Sequence, residues 1–592
     1  MCRLLLSYNQ LGHSEEEKYN FLNALNLMKS GGPDSQGYII YANNSILMGH
    51  NRLALRDLSS LANQPYNSSS KISRIIFNGE IYNHMHLRDM LPNRNWITKS
   101  DTETLVELIE AFGPSLIIPK LKGMFAFVFH DLKKNLIYIA RDKSGIKPLF
   151  ISYPENESHL IISSEIKGII NARKNHKYKI SEEARNEYFY FGYIRQPNTI
   201  FNKIRSVQTD GYLEFNPREN ILLKRNLIPS EIKNNNNLED ILTHALELRL
   251  QKDLEIPFFL SGGIDSNLLV AIAKRNLNIN PTTISATFQD TCFDESSYIN
   301  QNKVSLGLEK SNLINIKPDS FIHNIIDNIN NLTDQPFADS SFVVTKYLCN
   351  FARQMTFKAY IGADGADECF WGYKKYRKLI LYQKFRNLFF LPLVRNSNRK
   401  INYSAVNKLD EFDIYLSSKD HPFDTNYFKE GNRLKTFTPL DCLQYDRKSY
   451  LQSDILVKCD LAGMSESIEN REVFLDENVI NWSDNYYRNF SSSNQPNFKE
   501  PLRNLLKKLF PNYRSPKNKM GFATPIPHWS ITDSKINHLI SKELNEKSLK
   551  QIFPYKVPDY ISSYEILNLE QRIKYHSSIW LYYCWSKFYK SL

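Results

Sequence analysis

Between residues 216 and 237 the sequence loses every apolar period and ends in four consecutive asparagines. The patterning on its two sides differs, so the chain reads as two separately folding parts joined by a linker. Before the break, short apolar runs are bounded by turn residues. Residues 74–77 read as a strand ending in the turn-like Asn78-Gly79. Residues 124–129 and 136–141 read as a hairpin, 159–164 as a strand and 211–215 as the last strand, while 103–112 has helical spacing. After the break, strands (256–260, 282–288, 313–316, 358–362) alternate with helices (267–277, 296–306, 321–332). That alternation predicts a parallel, doubly wound α/β sheet. From Lys374 onward the sequence reads mostly helical and aromatic-rich. No internal repeat is visible.

Composition narrows the function classes. With 42% hydrophobic and 23% charged residues among 592, the chain can bury a real core, which excludes global disorder and fibrous designs. No stretch approaches the ~18 apolar residues of a membrane span. The start, Met1-Cys2-Arg3-Leu4-Leu5-Leu6-Ser7, has neither the apolar length nor the cleavage site of a signal peptide. A cytoplasmic protein is expected. Seven cysteines without a C-x-x-C pair argue against a disulfide framework or a zinc cluster. Lys plus Arg exceeds Asp plus Glu, 75 against 63, but the excess is spread along the chain, so no nucleic-acid face is expected.

Removal of Met1 would leave Cys2 with a thiol and a free α-amine, which can act as base for its own side chain. Asn78 and Gly79 place an amide and a glycine N–H side by side, the donors an oxyanion hole requires. Arg52 can grip a carboxylate in a bidentate fork, and Asp101 can pair with an ammonium. On its own, Ser100-Asp101-Thr102-Glu103 reads as a helix N-cap with a capping box.

In the second part, Leu260-Ser261-Gly262-Gly263-Ile264-Asp265-Ser266 lies between a strand and a helix. Glycines let the backbone approach an anion, and the helix N-terminus points N–H groups at it. It is not a Walker loop, since no G-x-x-x-x-G-K-[ST] is present. Gly362-Ala363-Asp364-Gly365-Ala366-Asp367-Glu368 again follows a strand. It suits either Mg²⁺ and general-base work or a solvated acidic loop. Arg514 through Lys519 form a basic loop.

In this order the N-terminal residues resemble the class II glutamine amidotransferase domain. Gly32-Pro33-Asp34-Ser35-Gln36-Gly37, Leu121-Lys122-Gly123-Met124-Phe125-Ala126-Phe127 and Gly145-Ile146-Lys147-Pro148-Leu149 add to the likeness. The C-terminal clusters resemble the synthetase half of the glutamine-hydrolysing asparagine synthetases, with Lys458-Cys459-Asp460 and Glu469-Asn470-Arg471 adding to it. The resemblance implies an N-terminal-nucleophile hydrolase αββα sandwich over residues 2–215 and a linker over 216–237. It implies a doubly wound ATP-pyrophosphatase domain with a helical C-terminal region over 238–592.

By the same likeness Cys2 would attack the glutamine amide, and Asn78 and Gly79 would hold the oxyanion. Arg52 would take the α-carboxylate, with Asp101 and Glu80 on the α-amine side. ATP would lie against Leu260, Ser261, Gly262, Gly263, Ser266, Ala286, Gly362 and Ala363. Asp265 and Asp367 would hold magnesium pyrophosphate, Lys519 would neutralise charge at the α-phosphate, and Asp364 would act as base or position the acceptor. Three positions depart from the family pattern: Gly31 for a usual Arg, Ala363 for Gly and Asp364 for Glu. The implied substrates are glutamine, ATP and either aspartate or, as an alternative, a uronic acid or other carboxylate of surface-polysaccharide assembly. The likeness also suggests a homodimer.

Overall fold

The computed structural model describes residues 2–153, 159–227, 237–250, 254–288, 293–376, 438–491, 493–515, 524–545, 561 and 563–592. Lys519 and part of the segment read as a linker, 228–236, lie outside the described residues, as do 377–437 of the region read as helical.

The first part holds twelve strands: Arg3–Asn9 (β1), Ser35–Tyr41 (β2), Ile46–Arg52 (β3), Tyr66–Asn67 (β4), Ser73–Ile81 (β5), Gly123–Asp131 (β6), Leu136–Arg141 (β7), Phe150–Ser152 (β8), His159–Ser163 (β9), Ile204–Ser206 (β10), Gly211–Asn216 (β11) and Ile221–Asn226 (β12). They form two six-stranded sheets, ordered β10-β8-β9-β1-β3-β2 and β12-β11-β7-β6-β5-β4. The named pairings within them are antiparallel.

Period-two alternation explains how the sheets stack. Leu4 and Leu6 of β1 face Ile76, Ala126 and Val128 across the inter-sheet core. Leu5, pointing the other way, packs under Phe21 and Leu25 of helix Glu15–Leu27. On the far side, Phe125 and Phe127 of β6 pack under Leu105 and Ile109 of helix Asp101–Phe112. The layers therefore run helix, sheet, sheet, helix, as the αββα expectation has it.

The second part has five strands: Phe258–Phe259 (β13), Thr283–Thr287 (β14), Ser311–Asn315 (β15), Ala359–Gly362 (β16) and Glu469–Glu472 (β17). All pair in parallel, in the order β15-β14-β13-β16-β17. The sheet grows one way from β13 and then the other way from β16. That is a topological switch point, where open α/β sheets bind ligands beyond the strand C-termini.

Four expectations need correction. Asn78 and Gly79 are not a turn but lie inside β5, opposite Ala126 and Phe125 of β6 respectively. A Cβ at Gly79 would lie 2.1 Å from the Met124 carbonyl oxygen, so glycine serves close approach to the next strand rather than chain reversal. Strand β11 is not the last: β12 pairs with it inside the stretch read as linker. Its side chains are mostly exposed, and its three apolar residues run consecutively rather than alternating, so no apolar period marks it. The helix read over 321–332 breaks into Ser320–Asp327 and Ile329–Thr333 at Asn328. Finally, β17 interrupts the helical region. Its sequence is Glu-Asn-Arg-Glu, yet all four residues are buried, so it escapes any hydropathy reading.

Two of the contacts that tie the parts together are a deeply buried ion-pair cluster and an aromatic one. The Arg3 guanidinium is fully buried, pairs with Glu165 and donates from Nη2 to Asp460 Oδ2 at 2.9 Å. It fills the space beside Gly31, where a Cβ would meet Arg3 Cγ at 2.6 Å. The departure at Gly31 is thus matched by an arginine arriving from β1. Helix Leu569–Lys590 packs on helix Glu182–Phe191: Tyr188 Oη donates to the Leu581 carbonyl at 2.7 Å, and the Phe189 and Trp585 rings lie 5.0 Å apart. No helix among the described residues is long and apolar enough to cross a membrane.

Removing one partner of a buried ion pair leaves the other uncompensated. Arg3→Met should therefore lower stability by about 3–5 kcal/mol. A denaturant titration would check this, and an unchanged midpoint would contradict the structural weight given to Arg3.

Candidate functional site

The first site is built where β1, β3 and β5 meet. Cys2 precedes β1 and is buried, and its backbone N–H donates to Asn78 Oδ1 at 3.1 Å. Asn78 is fully buried, and its Nδ2 has no hydrogen-bond partner among the described residues. A buried, unpaired amide donor costs free energy unless something else accepts from it. Burial pushes the Cys2 thiol above its ordinary value.

Arg52 ends β3. Its Nη1 donates to the Ser59 carbonyl and to Asn63 Oδ1, each at 2.8 Å, and its Nη2 to the Asp57 carbonyl. Among the described residues no carboxylate pairs with it, so it is oriented while its charge remains to be met. Ser100 caps the helix that Asp101 opens, accepting from Thr102 N at 3.1 Å. The expected capping box does not close, because the Glu103 carboxylate accepts from Ile97 N and Thr98 N instead. Asp101 is buried and accepts from Ile81 N at 2.9 Å; burial raises its carboxyl against the downward pull of Arg56. Glu80, expected on the α-amine side, has its carboxylate held by Arg56 and, at 3.7 Å, by Arg471 of β17. Cys2, Arg52, Gly79, Glu80 and Asp101 line one cavity together with Glu469.

The second site lies at the switch point. The loop after β13 leads into helix Ile264–Arg275, three residues earlier than its apolar period begins. Asp265 and Ser266 therefore stand in the helix's first turn. Asn267 Nδ2 donates to the carbonyls of Ser261 and Gly263 at 2.9 and 2.7 Å, fixing the loop from within. Gly262 N donates to Glu295 Oε2 at 3.2 Å, and Gly263 N to Ser261 Oγ at 3.1 Å.

Across the crevice, the loop after β16 brings Asp367 to the same point as Asp265. Lys499 Nζ bridges them, 2.7 Å from Asp265 Oδ2 and 2.5 Å from Asp367 Oδ1. Gly372 allows the approach, since a Cβ there would lie 1.8 Å from Asp367 Oδ1. Next to Asp367, burial foremost and then the Asp367 charge push the Glu368 carboxyl up to about 7. Leu260, Ser261, Asp265, Ser266, Ala286, Gly362, Ala363, Asp364 and Asp367 share one cavity. Lys458 also lines it; burial would lower its ammonium, but Asp364 and Asp339 outweigh that and raise it.

Lys499 was missed in the sequence. It sits in a left-handed conformation just before helix Glu500–Leu509, and no local spacing marks it. Glu472 was missed for a similar reason. Its buried carboxyl is raised, first by burial and then by Asp364.

Residues 1–225 match the family described as glutamine amidotransferase domain, and residues 237–566 match the family described as asparagine synthase. Asparagine synthetase [glutamine-hydrolyzing] 1 of Bacillus subtilis is 27% identical over 539 residues, 84% of this chain and 82% of that protein. Putative asparagine synthetase [glutamine-hydrolyzing] 2 of Methanocaldococcus jannaschii is 31% identical over 393 residues, 60% of this chain and 73% of that protein. Among solved structures, a glutamine phosphoribosylpyrophosphate amidotransferase from B. subtilis aligns with a TM-score of 0.29 and 14% identity, over 55% of this chain and 70% of that one.

Two histidines around the first site are held neutral. Burial lowers His50, whose Nε2 lies 2.9 Å from the Phe77 carbonyl, to about 3. Burial foremost, helped by Arg56 and Arg88, lowers His84 to about 3. Because the folded pKa lies below the unfolded one, the unfolded chain binds more protons in this window. Stability should thus be fully present above pH ~6.5 and fall as the pH drops towards about 3. Melting temperatures measured across that range should decline, and His84→Gln should flatten the slope.

Proposed function

Because this chain belongs to the asparagine synthase family, we propose that it is a glutamine-hydrolysing asparagine synthetase. It transfers ammonia from glutamine to an aspartate carboxylate activated by ATP, giving asparagine, glutamate, AMP and pyrophosphate. The division of labour follows the two parts of the chain, with glutamine hydrolysis in the first and synthesis in the second.

In the first site, removal of Met1 turns the nitrogen held by Asn78 Oδ1 into an α-amine poised beside its own thiol. The thiol attacks the glutamine amide. Asn78 Nδ2, buried without a partner, donates to the oxyanion together with the Gly79 N–H. Arg52 takes the α-carboxylate and Asp101 the α-ammonium. The α-amine passes the thiol proton to the leaving nitrogen, so the C–N bond breaks, ammonia departs and a thioester remains, which water hydrolyses to glutamate and the free thiol.

In the second site, the glycine loop and the helix N-terminus receive the phosphates of ATP. Asp265 and Asp367 converge on one cation, and two carboxylates beside phosphate oxygens fit Mg²⁺. When bound, Mg²⁺ would neutralise charge on the pyrophosphate. Lys499 pairs with the same two carboxylates and serves as a further positive charge beside the phosphates. Asp364 orients the acceptor. Adenylation makes the carboxylate oxygen a leaving group that ammonia can displace.

The observation that supports this reading most is the strand between the sites. Glu469 at one end of β17 lines the cavity that contains Cys2, and Glu472 at the other end pairs with Gly362 of the nucleotide cavity. Two chemistries that must exchange a small reactive product are thus separated by a single short strand.

Pyrophosphate release with ATP, Mg²⁺ and glutamine should rise on adding aspartate, with asparagine formed. If another carboxylate, such as a uronic acid, supports turnover and aspartate does not, the acceptor assignment falls while the amidotransferase reading stands. Cys2→Ala should abolish glutamine-dependent synthesis and leave ammonia-dependent synthesis. Asn78→Ala should slow glutamine hydrolysis roughly 10²–10³-fold; a smaller loss in folded protein would remove Asn78 from the oxyanion hole.

A further inference from the structure

The segment that covers Cys2 is held in place from the second part of the chain. Burial foremost raises the Cys2 thiol, while the N-terminal charge and then a hydrogen bond from the Leu53 N–H pull it back down. Leu53 and Ala54 lie just beyond β3, in no helix or strand, so no ladder fixes that N–H. Their neighbours are pinned instead. Asp34 N donates to the Arg52 carbonyl at 2.9 Å, and Ala54 N donates to Asp34 Oδ2 at 2.8 Å. Lys358 Nζ closes the arrangement. It donates to the same Asp34 oxygen at 2.8 Å and to the Ala54 carbonyl at 3.1 Å. One ammonium thus fixes both backbone groups of Ala54, the carbonyl directly and the N–H by way of Asp34.

Lys358 belongs to the second part. It stands immediately before β16, and its own carbonyl accepts from Glu469 N of β17 at 2.8 Å. The four residues of β16 run from there to Gly362 of the switch-point cavity. Lys358 and Asp34 are 27% and 29% exposed, and a pair of that exposure contributes little to stability. What sets it apart is its target, since two of the three ammonium donors converge on the residue that follows Leu53. A backbone donor stabilises a developing negative charge best when its direction is preset.

We propose that Lys358 is a positioning residue for glutamine hydrolysis: by clamping Ala54 it aims the Leu53 N–H at the Cys2 sulfur, so the second part of the chain completes the first site. The inference rests on the amidotransferase reading. Lys358 acts through Ala54 and Leu53 rather than on the substrate.

The test is the pH dependence of Cys2 alkylation by iodoacetamide in the full chain, with labelling at Cys2 read by peptide mass spectrometry. Lys358→Met keeps the stem and removes the ammonium. It should raise the midpoint by about half a pH unit or more and slow glutamine hydrolysis at neutral pH about two- to tenfold. Lys358→Arg, which can still bridge the carboxylate and the carbonyl, should restore most of both. The charged groups around Cys2 are its own α-amine, Arg52, Arg56, Asp57, Glu80, Asp101 and Glu469, with His50 held neutral. Asp34 and Arg353 face Lys358. Asp34→Ala separates the clamp from a plain charge effect. Loss of a negative charge acting through space would lower the midpoint, whereas loss of the clamp raises it. A rise in both Lys358→Met and Asp34→Ala supports the proposal, and Asp34→Ala carries the test if Lys358→Met does not fold. An unchanged midpoint in folded Lys358→Met, or a fall in Asp34→Ala, would overturn it. Wild-type protein that hydrolyses no glutamine while both midpoints rise would instead bring down the amidotransferase reading and leave the clamp standing.

Discussion

The buried Arg3 guanidinium is the contact on which the arrangement of both sites depends. It stands next to Cys2 in sequence and reaches Asp460 in helix Leu456–Ser465. Lys458, two residues before Asp460, lines the cavity at the switch point. The surrounding charges form a chain: Lys147 lies 3.7 Å from Asp460, and Lys167 pairs with Glu165 and, at 3.5 Å, with Asp334. Charges this deep are tolerated only when each has its opposite close by. The two parts of the molecule therefore supply each other's counter-ions. Neither can shift far without stranding a charge, so the distance between Cys2 and the switch-point cavity is held by electrostatics as well as by packing.

The motifs that could be read directly were those whose chemistry is local. Ser261 to Ser266 are neighbours in sequence and in space, and the strand before them and helix after them were visible as apolar patterns. Cys2, Arg52 and Asp101 were recognisable by residue type, and they do share a cavity. What sequence could not supply was the pairing between distant segments. Asn78-Gly79 carries a turn signature, yet the pairing with β6 decides the matter and puts both residues in a strand. Lys499 lies 234 residues from the aspartate it bridges. Strand β17 is four polar residues with no pattern at all, buried because its charges find partners on both faces. The pairing of the Glu80 carboxylate with Arg56 and Arg471 likewise joins separate segments that no local spacing connects.

Glycine positions carry much of the geometry that sequence patterns hide. Gly31 leaves room for Arg3, Gly362 lets Asn470 and Glu472 converge, and Gly372 lets Asp367 reach Lys499. In each case the absent side chain is a space that a charged group from another segment occupies. Such positions read as ordinary loop or strand glycines until the neighbouring segment is known.

The packing of helix Leu569–Lys590 on helix Glu182–Phe191 has a consequence for synthesis. Tyr188, Phe189, Tyr190 and Phe191 belong to a core that also includes Trp580, Tyr583 and Trp585. Chains fold from the N-terminus as they leave the ribosome, so the two stacked sheets can assemble while the partner helix is still untranslated. Until it arrives, a row of aromatic rings on the finished sandwich faces water. The order of synthesis thus leaves that apolar face uncovered until the last helix is made.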